Sequence, residues 1–240
     1  MSIHIITGDG MILKGRIKFI ADMTPDCNIL SDIGTDHAYI PIYMVKNERC
    51  RKAIACDIRE GPVAVANRHI KQFGLEDRIE TRLGSGLNPI SEEEMDVCVI
   101  AGMGGVLIRE ILAEDIEKAK LAKTLVIQPM NCIEIVREWL YGNGFDIYDE
   151  GLINEGFRIY NVIVARWTGK MVSKDQFYYH IGEKLIEKKD PLLKRYVQRR
   201  LDIIDKVLGE MKDMKDPDFS IIDQHKKMRE ELCLLLEKID

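Results

Sequence analysis

The stretch Leu30-Ser-Asp-Ile-Gly-Thr-Asp-His-Ala38 decides how the rest of the chain is read. An apolar run from Asn28 to Ile33 ends in an acid and a glycine, and helical patterning follows from Ala38 to Lys46. Open α/β sheets hold nucleotides with a strand that feeds acid-x-glycine and then a helix. Glycine there lets the backbone approach the ligand, and the site lies outside the carboxyl ends of the strands. Of a G-x-G-x-x-G fingerprint only Gly34 is present, and Asp36 and Ala38 stand where further glycines would sit. No Walker sequence or other phosphate-cradling loop occurs, so a phosphate-free adenosine ligand is expected. S-adenosyl-L-methionine leads that class.

Outward from this stretch, short apolar runs alternate with amphipathic ones. Lys52–Asp57 is the second strand, and a helix with Pro62 in its first turn is closed by Gly74. Arg78–Leu83, Met95–Ala101 and Leu125–Gln128 are further strands, and a helix from Ile135 to Tyr141 stops at Gly142-Asn-Gly144. This alternation implies a parallel sheet covered on both faces. Phe145–Ile153 and Arg158–Trp167, joined through Asn154-Glu-Gly156, then read as a terminal hairpin. The expected fold class is α/β, a Rossmann-like sheet that is mostly parallel with a terminal antiparallel hairpin, over residues 1–168.

Beyond Thr168-Gly169-Lys170 the composition shifts. Leu193, Val197, Leu201, Ile204, Leu208 and Met211 recur at helical spacing, and after Asp216-Pro217 so do Ile221, His225, Met228, Leu232, Leu235 and Ile239. Residues 169–240 are therefore expected to form a helical coiled-coil hairpin. The net charge of -5 excludes a uniformly basic protein. Residues 182–200 nevertheless hold seven basic side chains against three acidic ones, an excess that suits a phosphate backbone as well as a solvated helix face.

No apolar run approaches the ~18 residues of a membrane span, and Met1 to Ile6 lacks the basic region of a signal peptide. The six cysteines form no C-x-x-C pair, so they are read as reduced residues of a cytoplasmic protein with no metal site.

The chemistry gathers at strand ends. Asp57 closes the second strand 23 residues after Gly34, a position from which a carboxylate reaches the ribose hydroxyls of an adenosine ligand. Gly84-Ser-Gly86 follows the third strand and Ala101-Gly-Met-Gly-Gly105 the fourth, leaving a shallow floor for a flat ligand or base. Gln128-Pro-Met-Asn131 ends the fifth with two amides that both donate and accept.

Asp32-Ile-Gly-Thr-Asp-His-Ala-Tyr39, Leu83-Gly-Ser-Gly-Leu87, Ile100-Ala-Gly-Met-Gly-Gly105 and Leu125-Val-Ile-Gln-Pro129 resemble the bacterial tRNA (adenine(22)-N1)-methyltransferases of the TrmK type. The resemblance runs from Leu13-Lys-Gly-Arg16 through Tyr160-Asn-Val-Ile-Val-Ala165 into the tail. It implies a Rossmann-like methyltransferase domain, a C-terminal coiled-coil domain that holds tRNA, and methyl transfer from S-adenosyl-L-methionine to N1 of adenine 22. Two departures stand out. Ser85 replaces the aspartate of the family's Gly-Asp-Gly-Leu, and Met130 is inserted into its Gln-Pro-Asn.

On this reading Asp32, Gly34, Asp36, His37, Asp57, Gly84, Ser85, Gly86, Ala101 and Gly102 serve the cofactor. Tyr39, Met103 and Gly104 form the catalytic edge, with Tyr39 stacking on the target base and His37 either organising the cofactor loop or acting as a base. Gln128, Pro129 and Asn131 face the substrate base, while Lys188, Lys189, Arg195 and Arg199 meet the tRNA backbone. A monomer or weak homodimer without membrane or metal partners is expected. Two other functions remain open: a small-molecule methyltransferase with a dimerising tail, and a non-catalytic RNA-binding protein on a methyltransferase fold.

Overall fold

The computed structural model describes residues 5–7, 10–212 and 218–239. Met1 to His4 and the Asp216-Pro217 break lie outside the described residues. The chain divides into two compact units, Met1–Ser173 and Lys174–Asp240.

The first unit opens with a short antiparallel pair, β1 (Ile5–Thr7) and β2 (Gly10–Ile12), and a helix, α1 (Gly15–Met23). There follow β3 (Cys27–Ile33), α2 (Tyr39–Lys46), β4 (Cys50–Asp57), α3 (Glu60–Gln72) and β5 (Ile79–Leu83). The second half holds β6 (Val97–Met103), α4 (Gly105–Glu114), α5 (Ile116–Leu121), β7 (Thr124–Pro129) and α6 (Ile133–Gly142). It ends in a long hairpin of β8 (Phe145–Glu155) and β9 (Arg158–Trp167).

Seven strands form one sheet in the order β5-β4-β3-β6-β7-β9-β8. The first five are parallel, and β9 runs antiparallel to both β7 and β8. All six residues of β7 are buried, as are the last four of β3. A strand covered on both faces has no use for polar alternation, which is why these segments read as continuous apolar runs. Strand order reverses at β3 and β6, and that reversal opens a crevice at their carboxyl ends.

Several boundaries differ from the sequence reading. β6 continues past Ala101 to Met103 because a register shift lets Gly102 bulge outward at φ 78°. The helix α3 starts at Glu60 with Pro62 in its first turn as expected, whereas α6 starts at Ile133 rather than Ile135. Three features were not legible at all: the β1-β2 pair, and the helices α4 and α5. The glycine run before Val106 looks like a loop, and α4 has no side-chain cap to announce it.

The second unit contains α7 (Gln176–Ile181), α8 (Glu183–Glu187), α9 (Leu193–Lys212) and α10 (Phe219–Ile239). Leu193, Val197 and Leu201 are buried along α9, and Leu232 and Leu235 along α10. Ile221, expected in the seam, is exposed, and Ile222 is half-buried instead. The short helices α7 and α8 were also missed, since each is too brief to show a period and Gly182 at φ 94° separates them. Among the described residues no helix is long and apolar enough to cross a membrane.

Among the described residues one ion pair is wholly internal. Arg137 on α6 and Glu150 on β8 both have 0% exposed side chains, with Nε donating to Oε1 at 2.7 Å. Arg137→Met should cost about 3–5 kcal/mol by leaving a buried carboxylate without its guanidinium. Adding Glu150→Leu should recover most of that loss, and urea midpoints of the two variants measure both effects.

Candidate active site

The carboxyl ends of β3 and β4 bring two acids together. Asp32 and Asp57 are 7% and 6% exposed. Burial pushes the Asp32 carboxyl up to about 6, against a lowering hydrogen bond from Thr35, and the Asp57 charge raises it further. Between them the chain turns at Gly34, φ 76°, a left-handed conformation that favours glycine. The N–H groups of Gly34 and Thr35 both donate to the Cys56 carbonyl, at 2.8 and 2.7 Å, which ties the turn to β4. Thr35 Oγ1 accepts the Ala38 N–H at 3.1 Å and so sets the start of α2. A Cβ on Gly34 would lie 1.9 Å from Met103 Cε, so the last side chain of β6 covers this turn.

Asp57 Oδ1 accepts the Arg59 N–H at 2.8 Å, which fixes the carboxylate at the strand end. Beside it Ile58 is 66% exposed. A carboxylate next to an open apolar face suits a nucleoside, with hydroxyls bound by one and a ring resting on the other. Sequence reasoning passed over Ile58, although an apolar residue among Asp57, Arg59 and Glu60 was a visible signal. The Gly84 N–H donates to the Asp57 carbonyl at 3.0 Å, bringing the β5 loop alongside. Ser85 is exposed at the head of that loop and Gly86 turns it at φ 53°.

Three rings stand at the start of α2. His37, Tyr39 and His69 have centroids 4.9, 5.3 and 5.5 Å apart and planes within 20° of one another. His69, from α3, also places Nδ1 3.1 Å from the His37 carbonyl oxygen. His37 Nε2 lies 3.1 Å from Asp36 Oδ2, while its Nδ1 is buried with no partner. His69 was not expected in this group. It arrives from 32 residues away, and nothing local marks it.

Across the crevice the ends of β6 and β7 are locked together. Met103 O accepts the Met130 N–H at 2.7 Å, and the Gly105 N–H meets Asn131 O at 3.1 Å and Oδ1 at 3.3 Å. Gln128 is fully buried: its Nε2 donates to Pro129 O at 2.7 Å, and its Oε1 accepts from Arg16 Nη1. Both ends of that amide are therefore engaged within the chain. Arg16, on α1, also lies 5.1 Å over the Tyr160 ring and 3.8 Å from Glu155 Oε2. A Cβ on Gly102 would be 3.6 Å from Arg16 Nη1, so this arginine reaches the bulge of β6.

Residues 13–163 match the family described as a methyltransferase domain. The chain is similar to the tRNA (adenine(22)-N(1))-methyltransferase of Bacillus subtilis, 39% identical over 153 residues that make up 64% of this chain and 64% of that one. The crystal structure of the Bacillus subtilis M1A22 tRNA methyltransferase TrmK superposes with a TM-score of 0.79 at 30% identity, covering 95% of this chain and 98% of that one. The chain belongs to the TrmK family. A second TrmK structure, from M. capricolum in complex with S-adenosyl-homocysteine, has a TM-score of 0.77 and 26% identity over 95% of this chain and 98% of that one. The aligned stretch spans 64% of the length of the curated Bacillus subtilis relative.

In this TrmK-family fold the residues singled out from sequence fall into two groups. Asp32, Gly34, Asp36, His37, Tyr39, Asp57, the Gly84–Gly86 loop, Ala101–Gly104 and Gln128–Asn131 lie at the carboxyl ends of adjacent strands. Lys188, Lys189, Arg195 and Arg199 belong to the second unit. Lys188, Lys189 and Arg195 are exposed there and Arg199 is half-buried. Lys189, Arg195 and Arg199 make no ion pair among the described residues, whereas Lys184 is held by Glu187 at 2.7 Å.

The raised Asp32 carboxyl has a consequence for stability. It titrates near pH 6 in the fold and at about 3.9 in an unfolded chain, so the folded state holds this proton more tightly. The stability it contributes is full below about pH 4 and is lost as pH rises through about 6. Asp32→Asn should therefore raise Tm at pH 8 by a few degrees and change it less at pH 4, which thermal scans at the two pH values will show.

Proposed function

We propose that this chain transfers a methyl group from S-adenosyl-L-methionine to N1 of adenine 22 in tRNA. The observation that carries the reading is the Asp32-Gly34-Asp57 arrangement with its open Ile58, in a chain similar to an enzyme of that name.

The residues present fit such a cofactor. The Asp57 carboxylate suits the ribose hydroxyls and Ile58 the face of an adenine. Above pH 6 the ionised Asp32, beside the Gly34 turn, suits an amino-acid ammonium. Asp36 and His37 shape the turn that borders this end, and Gly84, Ser85, Gly86, Ala101 and Gly102 form the floor. Bound there, the cofactor supplies an electrophilic methyl group on a sulfonium sulfur.

Adenine N1 carries an in-plane lone pair, so no proton has to leave before it is methylated. The protein's task is to align the base and tolerate a cationic product. Tyr39 offers a stacking face, with Met103 and Gly104 at the edge of the same crevice. Pro129 and Asn131 border the base, with the buried Gln128 holding their loop in place from behind. Because N1 pairs in a duplex, the adenine must be unpaired or drawn out before it reacts.

We assign residues 1–168 to the catalytic domain and residues 169–240 to a coiled-coil domain that binds tRNA. Lys188, Lys189, Arg195 and Arg199 meet its backbone there, and the protein works in the cytoplasm as a monomer or weak homodimer. The deciding experiment is incubation with labelled S-adenosyl-L-methionine and unmodified tRNA, followed by mapping of the modified base. Label found only in small molecules, or at another nucleotide, would replace this reading.

Asp57→Ala should weaken S-adenosyl-L-methionine binding by about 1.5–3 kcal/mol, the range for a hydrogen bond to a charged group; calorimetry measures it directly. Replacing Lys188, Lys189, Arg195 and Arg199 with alanine should leave cofactor affinity unchanged, weaken tRNA binding, and flatten its salt dependence because fewer counterions are released. Filter binding across a salt series tests this, and wild-type affinity at every salt concentration would remove the tail from the RNA interface.

A further inference from the structure

The hairpin of β8 and β9 is longer than the sheet requires. β9 pairs with β7 at Leu125↔Ala165, Val126↔Val164 and Ile127↔Ile163. Its pairing with β8 continues further, from Gly151↔Val162 through Leu152↔Asn161, Ile153↔Tyr160 and Asn154↔Ile159 to Glu155↔Arg158. Those five pairs make a two-stranded arm of about 17 Å at roughly 3.4 Å per residue. Because β9 is antiparallel to β7, the arm extends from the carboxyl edge of the parallel strands, the edge that carries Gly34, Asp57 and Gly102.

The arm is braced along its length. At Gly151 a Cβ would come within 2.7 Å of Phe19 Cζ, so β8 lies directly on α1. Near the tip, Glu155 Oε1 accepts the Arg16 N–H at 3.4 Å, and the Tyr160 ring lies under the Arg16 guanidinium. Gly156 turns the chain at φ 59°. On this braced tip Phe157 is 91% exposed, and Arg158 beside it is exposed too. The Phe157 ring buries almost nothing, so it adds nothing to the core of its own domain.

An aromatic face next to a guanidinium is the chemistry that holds single-stranded nucleic acid, the base on the ring and the phosphate on the cation. Drawing out the reacting adenine breaks the stacking of its neighbours and so supplies unstacked bases at this edge. We propose that Phe157 stacks on a nucleobase of the RNA substrate close to the reacting adenine, with Arg158 on the adjoining phosphate. This rests on the tRNA reading above and extends it to a contact outside the cofactor crevice.

Phe157→Ala and Phe157→Trp are compared with the wild type for tRNA KM and kcat, cofactor Kd and Tm. Phe157→Ala should raise KM for tRNA by roughly fivefold or more, the effect of losing one stacked base. Cofactor Kd and Tm should stay unchanged because the ring lies outside both the crevice and the core. Phe157→Trp should restore KM to near the wild-type value. A KM within twofold of wild type for Phe157→Ala, on a tRNA that the wild type methylates, overturns the stacking assignment alone. So does a Phe157→Trp variant as impaired as Phe157→Ala. If the wild type neither binds nor methylates tRNA, the functional reading falls and this inference with it.

Discussion

Two backbones meet at Gly105 with no room for a side chain between them. A Cβ there would stand 2.3 Å from the Cys132 carbonyl oxygen and 2.7 Å from that of Asn131, and neither atom is a flexible end that could give way. The approach lets the Gly105 N–H reach Asn131 twice and the Met130 N–H reach Met103. The start of α4, the bulged end of β6 and the loop after β7 thereby become one rigid piece. Met103, fixed at the end of that piece, lies over the Gly34 turn and so carries the constraint to β3 and β4 on the other side of the crevice. The two halves of the site are in register because these glycines are glycines.

Electrostatics in the first unit divides into structural and functional parts. Arg137 and Glu150 neutralise each other out of reach of water and join α6 to β8. Asp32 is also buried but has no cation beside it among the described residues, and it sits near a second carboxylate. Two acids so placed cost the fold stability above about pH 6, which fits the ligand role proposed for this strand edge. Ser85 fits this picture. It puts an exposed hydroxyl at the head of the β5 loop and adds no third carboxylate there.

Arg16 illustrates how a residue gains its role from the fold. In sequence it is one of two cations in a short helix. In the structure it fills the space between the Gly102 bulge, the buried Gln128 amide and the Glu155–Tyr160 arm. Gln128, which looked like an open amide at a strand end, is consumed by that contact. The loop beyond it takes its shape from the Met130 N–H on Met103 O and from the Gly105 N–H on both Asn131 O and Asn131 Oδ1.

The sequence by itself determined the succession along the chain of the five parallel strands and the terminal hairpin, the acid-x-glycine turn of Asp32 and Gly34 and the partner acid at Asp57. Each of these is local: alternation, buried runs and glycine at a positive φ leave a mark within a few residues. The same holds for the apolar seam at Leu193, Val197 and Leu201. Only the tertiary structure decided that His69 joins His37 and Tyr39, that Arg16 closes over Gln128, and that Arg137 pairs with Glu150. It also decided that the β8-β9 arm carries Phe157 beyond the sheet. Those pairings span 13 to 139 residues of chain, and no local pattern encodes a distance across a sheet. They follow from which strands lie side by side, and that order is settled by the packing of the whole domain.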